Sequence, residues 1–173
     1  MSSQLRRVSS LFAVSVLGVA LLQPFGGAAA AKSNRGGRLQ GTWRVQFNPV
    51  NCQTGAPLAP FAVRLSFARG GTVTEVTSSQ AFLPGQRTPG LGVWNHIDDN
   101  AYRAVIEGFI LFDSPAPGVF KRGVQRLMWD IEIDGDQMTI ASTSQFFDAN
   151  GNPVFVACAS ATGTRFEDAQ DED

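Results

Sequence analysis

The chain has 173 residues, 43% of them hydrophobic and 17% charged, with 14 Lys and Arg against 15 Asp and Glu for a net charge of −1. That balance argues against nucleic acid as a partner, which demands a basic face to displace counterions. The length suits one domain with a single core.

The chain opens with a basic start at Arg6 and Arg7, followed by an uncharged apolar run from Leu11 to Leu22. Pro24, Gly26 and Gly27 break that run, and Ala28 to Ala31 offer the small residues a signal peptidase reads. The apolar run is well short of the ~20 residues a membrane-spanning helix needs. Residues 1–31 therefore read as a signal peptide of the general secretory route, with a retained membrane anchor as the alternative. Cleavage would remove two of the 14 basic side chains, leaving 12 against 15 acidic ones and a net charge of −3. The expected destination is secreted or periplasmic, with no membrane anchor after cleavage. Residues 32–38 are basic and Gly-rich, and 167–173 are mostly acidic; such charge runs read as flexible, solvated ends. The folded domain is then expected over 39–166.

Within it, two-residue alternation predicts strands. Trp43, Val45 and Phe47 alternate with Thr42, Arg44 and Gln46, and Phe61, Val63, Leu65 and Phe67 repeat the pattern. Arg69-Gly70-Gly71 predicts a tight turn into a β-branched strand over Thr72 to Ser78. The Pro/Gly-rich stretch from Ser79 to Gly90 is long enough for a loop that covers the mouth of a cavity. Leu91 to Ile97 is the next strand, and Asp98-Asp99-Asn100 turns it into Ala101 to Asp113. Pro115 and Pro117 interrupt the chain before Lys121 to Ile133, where Leu127, Trp129, Ile131 and Ile133 share one face. Asp134-Gly135-Asp136 is a hairpin signal. Gln137 to Phe147 returns, Ala149-Asn150-Gly151 turns again, and Pro153 to Phe166 is last.

Eight strands joined mostly to their sequence neighbours predict an all-β, eight-stranded antiparallel up-and-down barrel, because a long meander removes its exposed edges by closing on itself. A two-sheet sandwich is the competing architecture. Cys52 and Cys158 stand near the end of the first strand and within the last. In an oxidising compartment they most simply form one disulfide; two buried thiols or a reactive cysteine are the alternatives.

Gly41-Thr42-Trp43 at the start of the first strand and Arg165 at the end of the last resemble the lipocalins and their calycin relatives. The resemblance implies that Trp43 closes the barrel floor, that Arg165 packs over its ring as a cation on an indole face, and that the interior takes a small apolar ligand. Phe67-Ala68-Arg69-Gly70-Gly71-Thr72 and Pro89-Gly90-Leu91-Gly92-Val93-Trp94 resemble segments of small exported bacterial proteins without assigned activity.

Candidate chemistry is sparse. Trp94 and His96 share a strand face with Gly92, and the pair could hold a planar ligand or a haem; a histidine at the strand end, satisfied by Asp98, is the plainer alternative. Glu107 lies between Val105 and Phe109 and, inside a barrel, would be a proton donor or acceptor. Alternatively it pairs with Arg103, or a bulge at Gly108 turns it outward. Tyr102 could donate to a ligand, and Trp129 faces the expected interior. The ligand-binding candidates are thus Trp94, His96, Tyr102, Arg103, Glu107 and Trp129, with Glu107 the one catalytic candidate.

Asp134-Gly135-Asp136 and Asp148 to Asn152 lack the spacing of calcium loops, and one histidine with two cysteines does not make an ordinary zinc site. No cofactor is expected. Three functions follow: binding a small apolar ligand, a barrel enzyme of cyclase or isomerase type using an interior carboxylate, or a structural module with a filled core.

Overall fold

The computed structural model describes residues 37–115 and 120–166. The expected signal peptide, residues 32–36 of the N-terminal segment and the acidic tail lie outside the described residues. The strands are β1 (Gly41–Val50), β2 (Phe61–Ala68), β3 (Thr72–Thr77), β4 (Gly90–Asp98), β5 (Ala101–Ile110), β6 (Gly123–Asp134), β7 (Gln137–Asp148) and β8 (Pro153–Arg165). Each pairs antiparallel with its sequence neighbour, and β1 pairs with β8 from Trp43↔Arg165 to Val50↔Cys158. The sheet is a closed eight-stranded barrel, not a sandwich.

Closure follows from the alternation. Trp43, Val45 and Phe47 on β1, Val63, Leu65 and Phe67 on β2, and Leu127, Trp129, Ile131 and Ile133 on β6 are all buried, while the residues between them are wholly or partly exposed. A one-residue slip in any pair would turn such a row into solvent, so the apolar rows fix the register. Turn chemistry fixes it too. Gly70 and Gly71 both have positive φ, at 101° and 90°, which side-chain-bearing residues rarely adopt, and their hairpin sets Phe67 opposite Val73.

One end of the barrel is plugged. Trp43 is fully buried, and its indole N–H donates to the Leu39 carbonyl at 3.0 Å. The Arg165 guanidinium lies 4.3 Å from the Trp43 ring centroid and donates to Asp136 and to the carbonyls of Arg38 and Gln40. Arg38 also bonds the Asn100 side chain, so the last residue of the expected N-terminal segment is tied to this floor. Trp94, Tyr102, Ile133 and Met138 complete the layer. Cys52 and Cys158 are disulfide-bonded, which links the loop after β1 to β8 near the opposite end.

Candidate functional site

The opposite end holds a cavity of about 340 Å³. Its walls come from the later parts of β1, β3 and β7, the earlier parts of β2, β6 and β8, the loops between β1 and β2 and between β3 and β4, and Phe120 before β6. Phe47, Val63, Leu127 and Trp129 form its apolar depth, and Phe82, Phe120, Phe146 and Phe155 its aromatic rim. The rim rings pack on each other: Phe120 lies 5.3 Å from Phe82, 5.0 Å from Phe146 and 6.2 Å from Phe155, centroid to centroid. The interior is therefore not filled by its own side chains.

Polar groups enter this apolar space at chosen points. On β3 the inward phase runs Val73, Glu75, Thr77, and on β7 it runs Met138, Ile140, Ser142, Ser144. On β6 it ends in Gln125. Glu75, Gln125, Ser142 and Ser144 are all buried, and all line the cavity.

The β3–β4 loop supplies the counter-charge. Its last part runs beside β5, with the Thr88 amide donating to the Phe109 carbonyl and the Leu111 amide to the Gln86 carbonyl. That pairing turns Arg87 inward. Arg87 Nη1 lies 2.8 Å from Glu75 Oε2, with side-chain exposures of 3% and 4%. Nε of Arg87 donates to Gln125 Oε1, Nη1 also donates to the Thr88 carbonyl, and the guanidinium sits 5.8 Å from the Phe82 ring centroid. Gly108 makes room for it, since a Cβ there would lie 3.1 Å from Arg87 Cζ and Nη2. Gly108 is paired in register with Gln125, so it marks this close approach and not the expected bulge.

Burial pushes the Glu75 carboxyl above its ordinary range; the charge of Arg87 and hydrogen bonding from Arg87 and the Gly90 amide oppose that rise without cancelling it. Oε2 is at ion-pair distance from Nη1 and sealed from solvent, so its charge is balanced within the protein. Trp129 Nε1 is buried without a hydrogen-bond acceptor, and Trp129 too lines the cavity.

The residues singled out from the sequence are dispersed. Trp129 lies in the cavity wall. Trp94 and Tyr102 are buried at the plugged end, where the Trp94 N–H donates to the carbonyls of Ala68 and Thr72. His96 sits at the rim of that end, its Nε2 3.0 Å from the Asp99 carbonyl and its ring 5.0 Å from Tyr102; the partner is Asp99, not Asp98. The Trp94–His96 pair is thus separated from the cavity, and the space beside Gly92 is taken by the β5 backbone.

Arg103 and Glu107 point outward and pair across to β6, with Asp130 at 2.9 Å and Arg126 at 2.7 Å, instead of with each other. Glu107 is about half exposed (47%), so the interior carboxylate is Glu75. The outward alternative for Glu107 is the one seen, and its apolar neighbours have a local cause: the outward phase of β5 carries Val105 and Phe109, so Glu107 sits in an apolar row that faces solvent.

Glu75, Arg87, Gln125, Ser142 and Ser144 were not among those candidates. For Glu75 a signal was present, because a tight turn at Gly70-Gly71 sets it opposite Leu65, an inward residue. Asp134-Gly135-Asp136 and Asp148 to Asn152 form the β6–β7 and β7–β8 turns; in the second, Asp148 Oδ1 accepts from the Asn150 and Asn152 amides. Comparison of the chain with protein-family models and with curated proteins gives no match, so the functional reading rests on the geometry of this cavity.

Proposed function

We propose that the barrel binds a small, mainly apolar molecule in the cavity beneath the Phe82–Phe120 rim, outside the cytoplasm. One observation carries this reading: the barrel leaves a cavity of about 340 Å³ walled by Phe47, Val63, Leu127 and Trp129, with the buried Glu75–Arg87 pair, Gln125, Ser142 and Ser144 on its lining. An apolar concavity with a few convergent polar groups is the usual form of a small-molecule site. The volume supports a compact ligand. A cavity of roughly 150 Å³ takes benzene, so about 340 Å³ suits roughly a dozen non-hydrogen atoms. The disulfide is in keeping with an oxidising compartment. Arg165 over Trp43 in a closed eight-stranded barrel supports kinship with the calycins.

Native mass spectrometry of protein purified without denaturation, together with titration by naphthalene followed through its own fluorescence, tests the proposal. Ala159 lines the cavity, and Ala159→Phe should abolish naphthalene binding while the circular dichroism spectrum is kept. Unchanged binding in that variant refutes the cavity as the site, as does a wild type that neither binds naphthalene or 2-naphthol nor carries a bound molecule.

A second reading, an enzyme of cyclase or isomerase type, draws support from the same carboxylate. Glu75 combines burial, a raised proton affinity and access to an apolar cavity, the ingredients of a general acid or base. It stands second because Arg87 holds the carboxylate in an ion pair.

A further inference from the structure

A lone buried arginine in an apolar cavity is a receptor for carboxylates, but Arg87 is already engaged on every side. Nη1 faces Glu75 and the Thr88 carbonyl, Nε is committed to Gln125, the guanidinium lies near Phe82, and Nη2 packs against Gly108. An anionic ligand would meet Glu75 beside it and bring one uncompensated negative charge into a space walled by Phe47, Leu127 and Phe146. A cationic ligand would leave the opposite excess. A neutral donor has no such cost. A hydroxyl placed at Glu75, which lines the cavity, donates to a charged acceptor, and hydrogen bonds of that kind are the strong ones.

We infer that Glu75, with its charge balanced by Arg87, is the specificity-determining residue of the cavity and selects a neutral hydroxyl, an alcohol or phenol, on an otherwise apolar ligand while refusing carboxylates. This inference rests on the ligand-binding reading above. Ser142 and Ser144 on the β7 wall extend the polar side of the same space and offer further neutral partners.

Three rigid probes of suitable size separate the possibilities: naphthalene, 2-naphthol and 2-naphthoate, titrated at neutral pH by fluorescence and by calorimetry. The wild type should bind 2-naphthol several-fold tighter than naphthalene and at least tenfold tighter than 2-naphthoate. Glu75→Gln leaves Arg87 uncompensated, so 2-naphthoate should gain at least tenfold and become the preferred probe. Equal binding of naphthalene and 2-naphthol, or 2-naphthoate binding as well as 2-naphthol, overturns the inference while leaving the cavity reading intact. Retention of the phenol preference in folded Glu75→Gln overturns the role of Glu75. Failure of naphthalene and 2-naphthol alike, in protein that carries no bound molecule, overturns the binding reading itself, and the inference with it. Should Glu75→Gln not fold, the wild-type ratios decide, since they need no variant.

Discussion

Arg87→Met removes the counter-charge of Glu75 without emptying the space its stem fills, and the structure sets the size of the effect. Both side chains are almost wholly buried, and breaking a buried pair from one side costs about 3–5 kcal/mol. Glu75 has one escape, which is to take up a proton. From an ordinary carboxyl pKa of 4.5, neutralising it at pH 7 costs about 3.4 kcal/mol, so that figure caps the charge penalty. The lost hydrogen bond to Gln125 adds about 1 kcal/mol. The expected loss is about 3–4 kcal/mol at pH 7, or roughly 10–15 °C in Tm for a domain of this size.

The pH dependence has a fixed sign. In the folded protein Glu75 holds its proton more tightly than in the unfolded chain, so its contribution to stability falls as pH rises from the ordinary carboxyl range through the raised folded value, and is flat above it. Arg87→Met lifts the folded value further and widens that window. Variant and wild type should therefore converge toward acid, with a gap of about 1–2 kcal/mol at pH 5. Adding Glu75→Gln to Arg87→Met should recover most of the loss at pH 7. Thermal unfolding by circular dichroism from pH 5 to pH 8 measures the wild type and both variants. A loss below about 1 kcal/mol at pH 7, a gap that does not narrow toward acid, or a double variant no better than the single one would refute the buried-pair argument.

Two further outcomes follow from the barrel itself. Gly92→Ala should cost about 3 kcal/mol or more, because a Cβ there overlaps the Val105 carbonyl oxygen and lies 2.7 Å from Ile106 Cα; urea unfolding measures it, and a near-neutral result would show that β4 and β5 are not so close. Replacing both Cys52 and Cys158 by Ser opens a link that spans 106 residues and should lower stability by about 4–5 kcal/mol in the chain-entropy account; a wild-type Tm indifferent to reductant would count against a bridge that matters to the fold.

The residue order alone determined the all-β class, the eight strands and their meander, while the pairing of β1 with β8 decided for a closed barrel over a sandwich. The reason is physical: strands one face deep write their burial as a period of two, and turns with Gly or Asp-Gly punctuate it. It determined the Cys52–Cys158 pairing partners as well, since two cysteines allow one intramolecular bridge. What tertiary structure decided is the site. Whether Glu107 or Glu75 enters the interior depends on the phase of strands whose apolar residues lie on both faces, and β5 puts Val105 and Phe109 in solvent. Arg87 arrives from a loop with no periodicity to read, and it reaches Glu75 because that loop hydrogen-bonds along β5. Closure then brings β3, β6 and β7 to face one space, and only there do Glu75, Gln125, Ser142 and Ser144, scattered along the chain, become one polar wall.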